Sequence, residues 1–220
     1  MTPKSEFMPP ALQDYVIDFG APPDAIQREL IAETAALFPD DVGYQIAPEQ
    51  GGFLTLMTRL IGAKSAIELG TFTGYSALAI ARGLPEDGRL ICCDISAEWT
   101  SLGSRYWERA GVAERIDLRI APALETLRAL PEEATIDLVF LDADKPAYID
   151  YWEELVPRVR PGGLLLVDNV FSHLGVLDEN PSTVNARAIK AFNAHVVADP
   201  RIEQVMIPLA DGVTIARKLA

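Results

Sequence analysis

From Ser65 onward, short apolar runs alternate with longer amphipathic stretches. The runs fall at Ser65 to Leu69, Leu90 to Asp94, Ile116 to Ile120, Ile136 to Asp142 and Leu164 to Asn169, each of strand length. Between them, Tyr75 to Arg82, Ala97 to Ala110, Ala123 to Leu130 and Ala147 to Val156 have helical spacing. Turn signals stand at Pro85-Glu86-Asp87-Gly88 and Pro161-Gly162-Gly163. A strand followed by a helix, repeated, predicts an α/β fold with a mostly parallel sheet.

Beyond Pro181 a helical stretch runs to Val197. Two further strand candidates follow, Ile202 to Leu209 and Val213 to Leu219, separated by Ala210-Asp211-Gly212. Asp-Gly between two such runs predicts an antiparallel hairpin, for seven strands in all. Ahead of the sheet, Ala11 to Phe19, Pro23 to Phe38 and Glu49 to Ile61 read as helices, the second announced by Pro22-Pro23-Asp24. At 220 residues the chain suits one domain (1–220), with an N-terminal helical region over 1–61 and an α/β core over 62–220. The helical region is expected to cover the site or to meet a second copy. Only Met1 to Phe7 is expected to lack order.

Composition mainly excludes. A net charge of −13 opposes binding to nucleic acid, whose affinity comes from Lys and Arg on phosphates, and so favours a small-molecule or protein substrate. No apolar run approaches the ~20 residues of a membrane span, and no export signal is visible, so the expected location is cytoplasmic, with no membrane partner. Cys92 and Cys93 are the only cysteines. As neighbours in a strand they point to opposite faces, which suits two core residues better than a disulfide or a zinc cage.

The chemistry gathers at the carboxyl ends of the strands. The first strand runs into Glu68-Leu69-Gly70-Thr71-Phe72-Thr73-Gly74-Tyr75-Ser76. Such a glycine turn brings backbone close to a ligand, at the edge where open α/β sheets bind theirs. A dinucleotide fingerprint would need glycine at position 72, where this chain has Phe72, which counts against NAD. Asp94, 20 positions after Gly74, ends the second strand as an acceptor for ribose hydroxyls. Together they point to an adenosyl group. Asp142 and the pair Asp168-Asn169 end the fourth and fifth strands, so three oxygen ligands suited to a hard cation converge on one rim.

Three ordered motifs are more specific than these spacings. The glycine turn, Leu141-Asp142-Ala143-Asp144-Lys145 and Val167-Asp168-Asn169-Val170, with Pro48-Glu49-Gln50-Gly51 ahead of the sheet, closely resemble the metal-dependent caffeoyl-CoA and catechol O-methyltransferase group. The terminal hairpin is similar to that of the class I methyltransferase fold, which is Rossmann-like. The resemblance implies S-adenosylmethionine as cofactor. Glu68, Gly70 and Ser76 would hold its methionine portion, Asp94 the ribose, Ala123 the adenine edge through its backbone, and Asp144 the amino group. Thr71 and Tyr75 of the turn, with Asp142 and Tyr151 beyond it, complete the candidate cofactor set. Before Ala123 this chain has Ala121-Pro122, where the family often has Gly-Pro or Gly-Asp.

The resemblance also implies a divalent metal on Asp142, Asp168 and Asn169, with Mg²⁺ expected and Mn²⁺ or Ca²⁺ suited to the same ligands. Two vicinal hydroxyls of a small aromatic diol would fit its open positions. Near a metal the ammonium form of Lys145, beside Asp144, would be disfavoured, which makes it a candidate proton acceptor or an electrostatic partner for the phenolate, acting with Asp142 in catalysis. Family members are commonly dimers, so a homodimer is expected. Tyr44 to Ala47, Tyr148, Tyr151 and Trp152 are candidates for lining a pocket, although aromatics after a strand more often pack on the sheet. His173 lies in Phe171-Ser172-His173-Leu174, where the family pattern breaks; His195, on a helix, reads as structural.

Three other functions compete with this one. NAD-dependent oxidation is opposed by Phe72 and by the lack of a catalytic Tyr/Lys or His pair near the turn. A non-catalytic cofactor-binding protein is opposed by the intact Asp142, Lys145, Asp168 and Asn169. Methylation of RNA or protein is opposed, for RNA, by the acidic surface.

Overall fold

The computed structural model describes residues 8–220; the expectation for Met1 to Phe7 lies outside the described residues. Three helices precede the sheet: α1 (Pro10–Phe19), α2 (Ala25–Leu37) and α3 (Pro48–Leu60). The α/β core then runs β1 (Ser65–Leu69), α4 (Tyr75–Gly83), β2 (Arg89–Asp94), α5 (Ala97–Arg109), β3 (Ile116–Ile120), α6 (Ala123–Ala129), β4 (Ile136–Leu141), α7 (Tyr148–Arg158) and β5 (Val159–Asp168). It closes with α8 (Val184–Val197), β6 (Ile202–Ile207) and β7 (Val213–Lys218). The seven strands are ordered β3-β2-β1-β4-β5-β7-β6. The first five are parallel, and β7 inserts antiparallel between β5 and β6. The parallel strands therefore all end at one edge, with Leu69, Asp94, Ile120, Leu141 and Asp168 along it.

Alternation along the strands divides the core in two. Ala66, Leu90, Cys92, Leu138 and Phe140 face α3, α4 and α5, whereas Ile67, Leu69, Cys93, Val139 and Leu141 face α6, α7 and α8. The adjacent cysteines thus enter different half-cores, as expected, and both are free thiols. Glu68 shares the face of Ala66, so its parity sends a carboxylate into the apolar layer beneath α4.

Local chemistry fixes where helices start. Asp24 accepts from the Gln27 backbone and Gln27 returns a bond to the Asp24 N–H, a reciprocal cap that begins α2. Thr183 caps α8 through the Ala186 N–H, which is why that helix starts at Val184 and not at Pro181. The turn expected at Pro161-Gly162-Gly163 proves to be an excursion inside β5. Ile136 pairs with Val159 and Leu138 with Leu164, so the extra residues bulge out, with Gly162 at φ +80°. The Asp-Gly turn joins β6 to β7 as expected, with Gly212 at φ +86°.

The N-terminal helices lie on the α4 and α5 side. Glu33 of α2 accepts from Tyr106 and pairs with Arg105, both on α5. Thr34 donates to the Thr73 hydroxyl of the glycine turn at 2.9 Å. Gln45 donates to both threonines at 3.3 Å, in a buried cluster tying this region to the cofactor turn.

Candidate active site

The glycine turn has its shape because two residues in it have no room for a side chain. Gly70 takes φ +84°, and a Cβ there would lie 1.9 Å from the Asp142 carbonyl oxygen. Gly74, at φ +81°, faces the Trp107 ring at 2.5 Å from the same hypothetical atom. The Trp107 indole N–H donates to the Gly74 carbonyl at 3.0 Å, fixing the turn from α5. Phe72, where a dinucleotide fingerprint has glycine, adopts φ +49° and sends its ring against Trp99, Tyr44 and Phe38.

Asp94 organises this turn from the next strand. Its Oδ2 accepts from the Thr71 and Phe72 N–H groups at 2.9 and 2.8 Å, and Oδ1 from Ser96 N–H at 2.8 Å. Of the about four lone-pair positions of a carboxylate, one is left for a ribose hydroxyl. Asp94 thus does more than was expected of it.

Glu68 is fully buried, and neither of its carboxyl oxygens has a hydrogen-bond partner. Burial pushes the carboxyl up to about 7, against the smaller opposing pull of the nearby Ser76 and Thr71 hydroxyls and the Cys92 thiol. The Thr71 hydroxyl is also buried without a partner. Orphaned acceptors beside a tight glycine turn are what a cationic, hydrogen-bonding ligand would satisfy, so these residues fit the ammonium-bearing methionine portion of adenosylmethionine. Tyr75 contributes differently: its hydroxyl donates to the Pro48 carbonyl at 3.3 Å, leaving only its backbone, at the first turn of α4, for a cofactor. Ala123 opens α6 just after Pro122, whose carbonyl takes the Glu125 and Thr126 N–H groups, so the Ala123 N–H lies ahead of the helix's own bonding. Ala121 N–H bonds the Asp94 carbonyl at 3.0 Å, so the backbone path is kept without the family's glycine.

The second half of the rim comes from β4 and β5. Asp142 follows β4, its N–H held by the Leu69 carbonyl at 2.9 Å. Lys145 Nζ lies 2.7 Å from Asp142 Oδ1 and 2.7 Å from the Tyr148 hydroxyl. Burial opposes the charge on Lys145, but Asp142 and Tyr148 outweigh it and hold its pKa above the ordinary lysine value. In the chain by itself the ion pair keeps Lys145 an ammonium; the expected loss of its proton belongs to the metal-bound site. Tyr151, also buried, donates to Asp144 Oδ1 at 2.5 Å.

Asp168 ends β5 and is 2% exposed. Its Oδ1 accepts from Gln50 Nε2 at 2.9 Å and from Asn169 N–H at 2.8 Å. Burial, then the nearby Asp142 charge, raises the Asp168 carboxyl to about 7. A buried carboxyl raised by the charge of a second carboxylate at the same strand-end rim is a donor set a cation would stabilise. Asn169 beside them takes φ +57°, a left-handed conformation that asparagine tolerates. Among the described residues no three His, Cys, Asp or Glu side chains gather into a metal cage; the candidate set is two carboxylates and an amide.

The structure brings the expected residues to one edge and corrects some expectations around it. Trp152 lines no pocket: it is fully buried and donates to Asp199 at 2.8 Å. Tyr148 is buried too, but its hydroxyl anchors Lys145. Tyr44 is 61% exposed. His195 pairs with Glu153 at 2.7 Å on the surface, and His173 N–H is held by Asp211 at 2.9 Å in the loop after β5. Sequence reasoning assigned no role to Gln50 or Trp107, and gave Tyr148 only a place in the pocket lining. Gln50 stood inside a quoted motif; for Trp107 no local signal existed.

The family model described as O-methyltransferase matches residues 21–219. A caffeoyl-CoA O-methyltransferase of Eucalyptus gunnii is 35% identical, over 98% of this chain and 90% of that one. Among solved structures, an O-methyltransferase from Bacillus cereus in complex with SAH is 29% identical, at a TM-score of 0.86, covering 94% of this chain and 97% of that one. TomG, an O-methyltransferase of Streptomyces achromogenes in complex with SAM, is 27% identical, at a TM-score of 0.87, covering 96% of each chain. The oxidoreductase reading falls with these likenesses, and the chain belongs to the O-methyltransferase family as an adenosylmethionine-dependent enzyme of the caffeoyl-CoA type.

Proposed function

We propose that this enzyme methylates one hydroxyl of a small aromatic vicinal diol, with a divalent cation held by Asp142, Asp168 and Asn169. The observation that carries this reading is the pair Asp142 and Asp168, delivered to one rim by adjacent strands, with the Asp168 carboxyl raised to about 7 by burial and by its neighbour. When bound, adenosylmethionine supplies an electrophilic methyl group, and a divalent cation favours the deprotonated form of a hydroxyl and orients two vicinal oxygens.

The chain's residues do the rest. Glu68, the Gly70 turn, Thr71 and Ser76 receive the methionine portion, assisted by Asp144 with Tyr151 behind it; Asp94 takes the ribose and the Ala123 backbone the adenine edge. Lys145 stands where the substrate proton must leave, and Tyr148 fixes it there. The Lys145 charge rests on Asp142, so whatever claims that carboxylate frees Lys145 to release its proton and then accept the substrate's.

Exposed apolar residues on α1 and α3 (Leu12, Tyr15, Phe19, Leu56 and Leu60) support a homodimer, which light scattering of the purified chain would test. No described helix is long and apolar enough to cross a membrane.

The deciding experiment incubates the protein with adenosylmethionine and a panel of catechols, with Mg²⁺ or with excess chelator, and follows the substrate by mass spectrometry. A methylated product that chelator abolishes is expected. A product formed equally well in chelator would overturn the metal role, and no product from any catechol would overturn the substrate class.

A further inference from the structure

Gln50 joins two parts of the molecule that the reaction does not obviously connect. It is 2% exposed, in the first turn of α3. Its Oε1 accepts from the Ala47 N–H at 2.8 Å, the donor just ahead of that helix, and its Nε2 donates to Asp168 Oδ1 at 2.9 Å. The two bonds fix the amide's orientation. Reversed, it would set two donors face to face at Ala47 and two oxygens face to face at Asp168. The turn carrying Gln50 is itself immobilised. A Cβ on Gly51 would sit 2.8 Å from the Tyr75 ring, whose hydroxyl donates to the Pro48 carbonyl at 3.3 Å, and Glu49 accepts from Gln13 of α1 at 3.0 Å.

The effect on Asp168 is specific. A carboxylate oxygen has two lone pairs, and Oδ1 spends both, one on Gln50 and one on Asn169 N–H. Only Oδ2 remains for a further ligand. Asp142 is similarly divided, with Oδ1 on Lys145. We propose that Gln50 is a positioning residue for the metal ligand Asp168. It locks the carboxylate so that a cation is met by Oδ2 alone, and it makes that geometry conditional on α3 being seated against the sheet.

This rests on the reading of Asp168 as a metal ligand. It goes beyond that reading by giving the N-terminal helices a part in building the cation site. It also separates the two bonds of Gln50, one serving the start of α3 and the other the rim. The coupling is reciprocal: a cation that tightens Asp168 must also tighten the start of α3.

The test titrates wild type, Gln50→Met and Asp168→Ala with Mn²⁺, read from the free-ion paramagnetic resonance signal, and measures adenosylhomocysteine affinity in each. Methionine matches glutamine in length and lacks the donor. Gln50→Met is expected to bind Mn²⁺ about 10–100-fold more weakly, as loss of a partner holding a metal ligand does, with adenosylhomocysteine affinity unchanged. Wild-type Mn²⁺ affinity in Gln50→Met, where Asp168→Ala abolishes binding, would overturn the Gln50 proposal and leave the metal reading standing. Absence of any Mn²⁺ binding that Asp168→Ala removes would overturn both. A measurement on unmodified protein covers the case in which the variant does not fold. Hydrogen exchange over residues 45–54 is expected to slow when Mn²⁺ is added, and exchange that ignores Mn²⁺ refutes the coupling.

Discussion

Replacing Glu68 by glutamine should make the cofactor-free protein more stable at pH 8 while weakening its hold on adenosylhomocysteine. Both carboxyl oxygens of Glu68 are buried without partners, and the group is raised from 4.5 to about 7. Below pH 4.5 the folded and unfolded chains both carry a protonated Glu68, and this group adds no pH dependence. Between 4.5 and 7 the unfolded chain releases the proton and the folded chain keeps it, so stability falls as pH rises; above 7 the loss is complete. At about 1.4 kcal/mol per pH unit the full loss is about 3 kcal/mol, most of which falls between pH 5 and pH 8. Glutamine has no proton to lose. Urea unfolding of wild type and Glu68→Gln at both pH values, with cofactor removed, isolates this contribution because every other titrating group is common to the two proteins. The variant should gain roughly 2–3 kcal/mol relative to wild type on going from pH 5 to pH 8. Calorimetric titration with adenosylhomocysteine should show weaker binding at pH 8. A stability difference that is the same at both pH values would refute the idea that Glu68 is a buried acid forced to ionise.

Three further outcomes are expected. Asp168→Ala should abolish methyl transfer while leaving adenosylhomocysteine binding intact, as seen by product mass and by calorimetry in parallel; retained turnover would remove Asp168 from the reaction. Tyr148→Phe deletes one of the two groups 2.7 Å from Lys145 Nζ and should lower kcat about tenfold with little change in KM for adenosylmethionine, in line with the loss of one hydrogen bond to a charged group. A KM effect without a kcat effect would argue against it. Gly70→Ala must fit a Cβ 1.9 Å from the Asp142 carbonyl oxygen at φ +84° and should cost more than about 3 kcal/mol in urea unfolding, whereas a cost under about 1 kcal/mol would show that the turn yields.

The parallel core was legible because strand periodicity and turn residues are local signals. β1 and β3 lie where the apolar runs end, and the Asp-Gly hairpin declared itself. The excursion at Pro161-Gly162-Gly163 looked like a boundary because proline and glycine signal a break without saying whether the strand resumes. The rim acids were legible as strand-end residues. What each one bonds to was not, because those partners lie far along the chain: Gln50 reaches Asp168 across 118 positions, and Trp107 closes the Gly74 turn from another helix. The ion pair between Lys145 and Asp142 was not legible either, because Asp142 was weighed as a metal ligand and not as a counter-ion. The orphaned state of Glu68 needed the packing above it.

The splitting of Cys92 and Cys93 between the two half-cores gives the molecule an internal pair of reporters. Burial raises Cys93 to about 12 and Cys92 well above the ordinary thiol value, so almost no thiolate exists in the folded chain at neutral pH. An alkylating reagent must therefore wait for the sheet to open. Peptide mapping of quenched samples would tell the adjacent sulfurs apart by which one carries the label, Cys92 timing exposure of the layer under α4 and α5, and Cys93 the layer under α6, α7 and α8. Added adenosylhomocysteine that slows Cys92 more than Cys93 would locate its grip on one side of the sheet, in native protein and without a mutation.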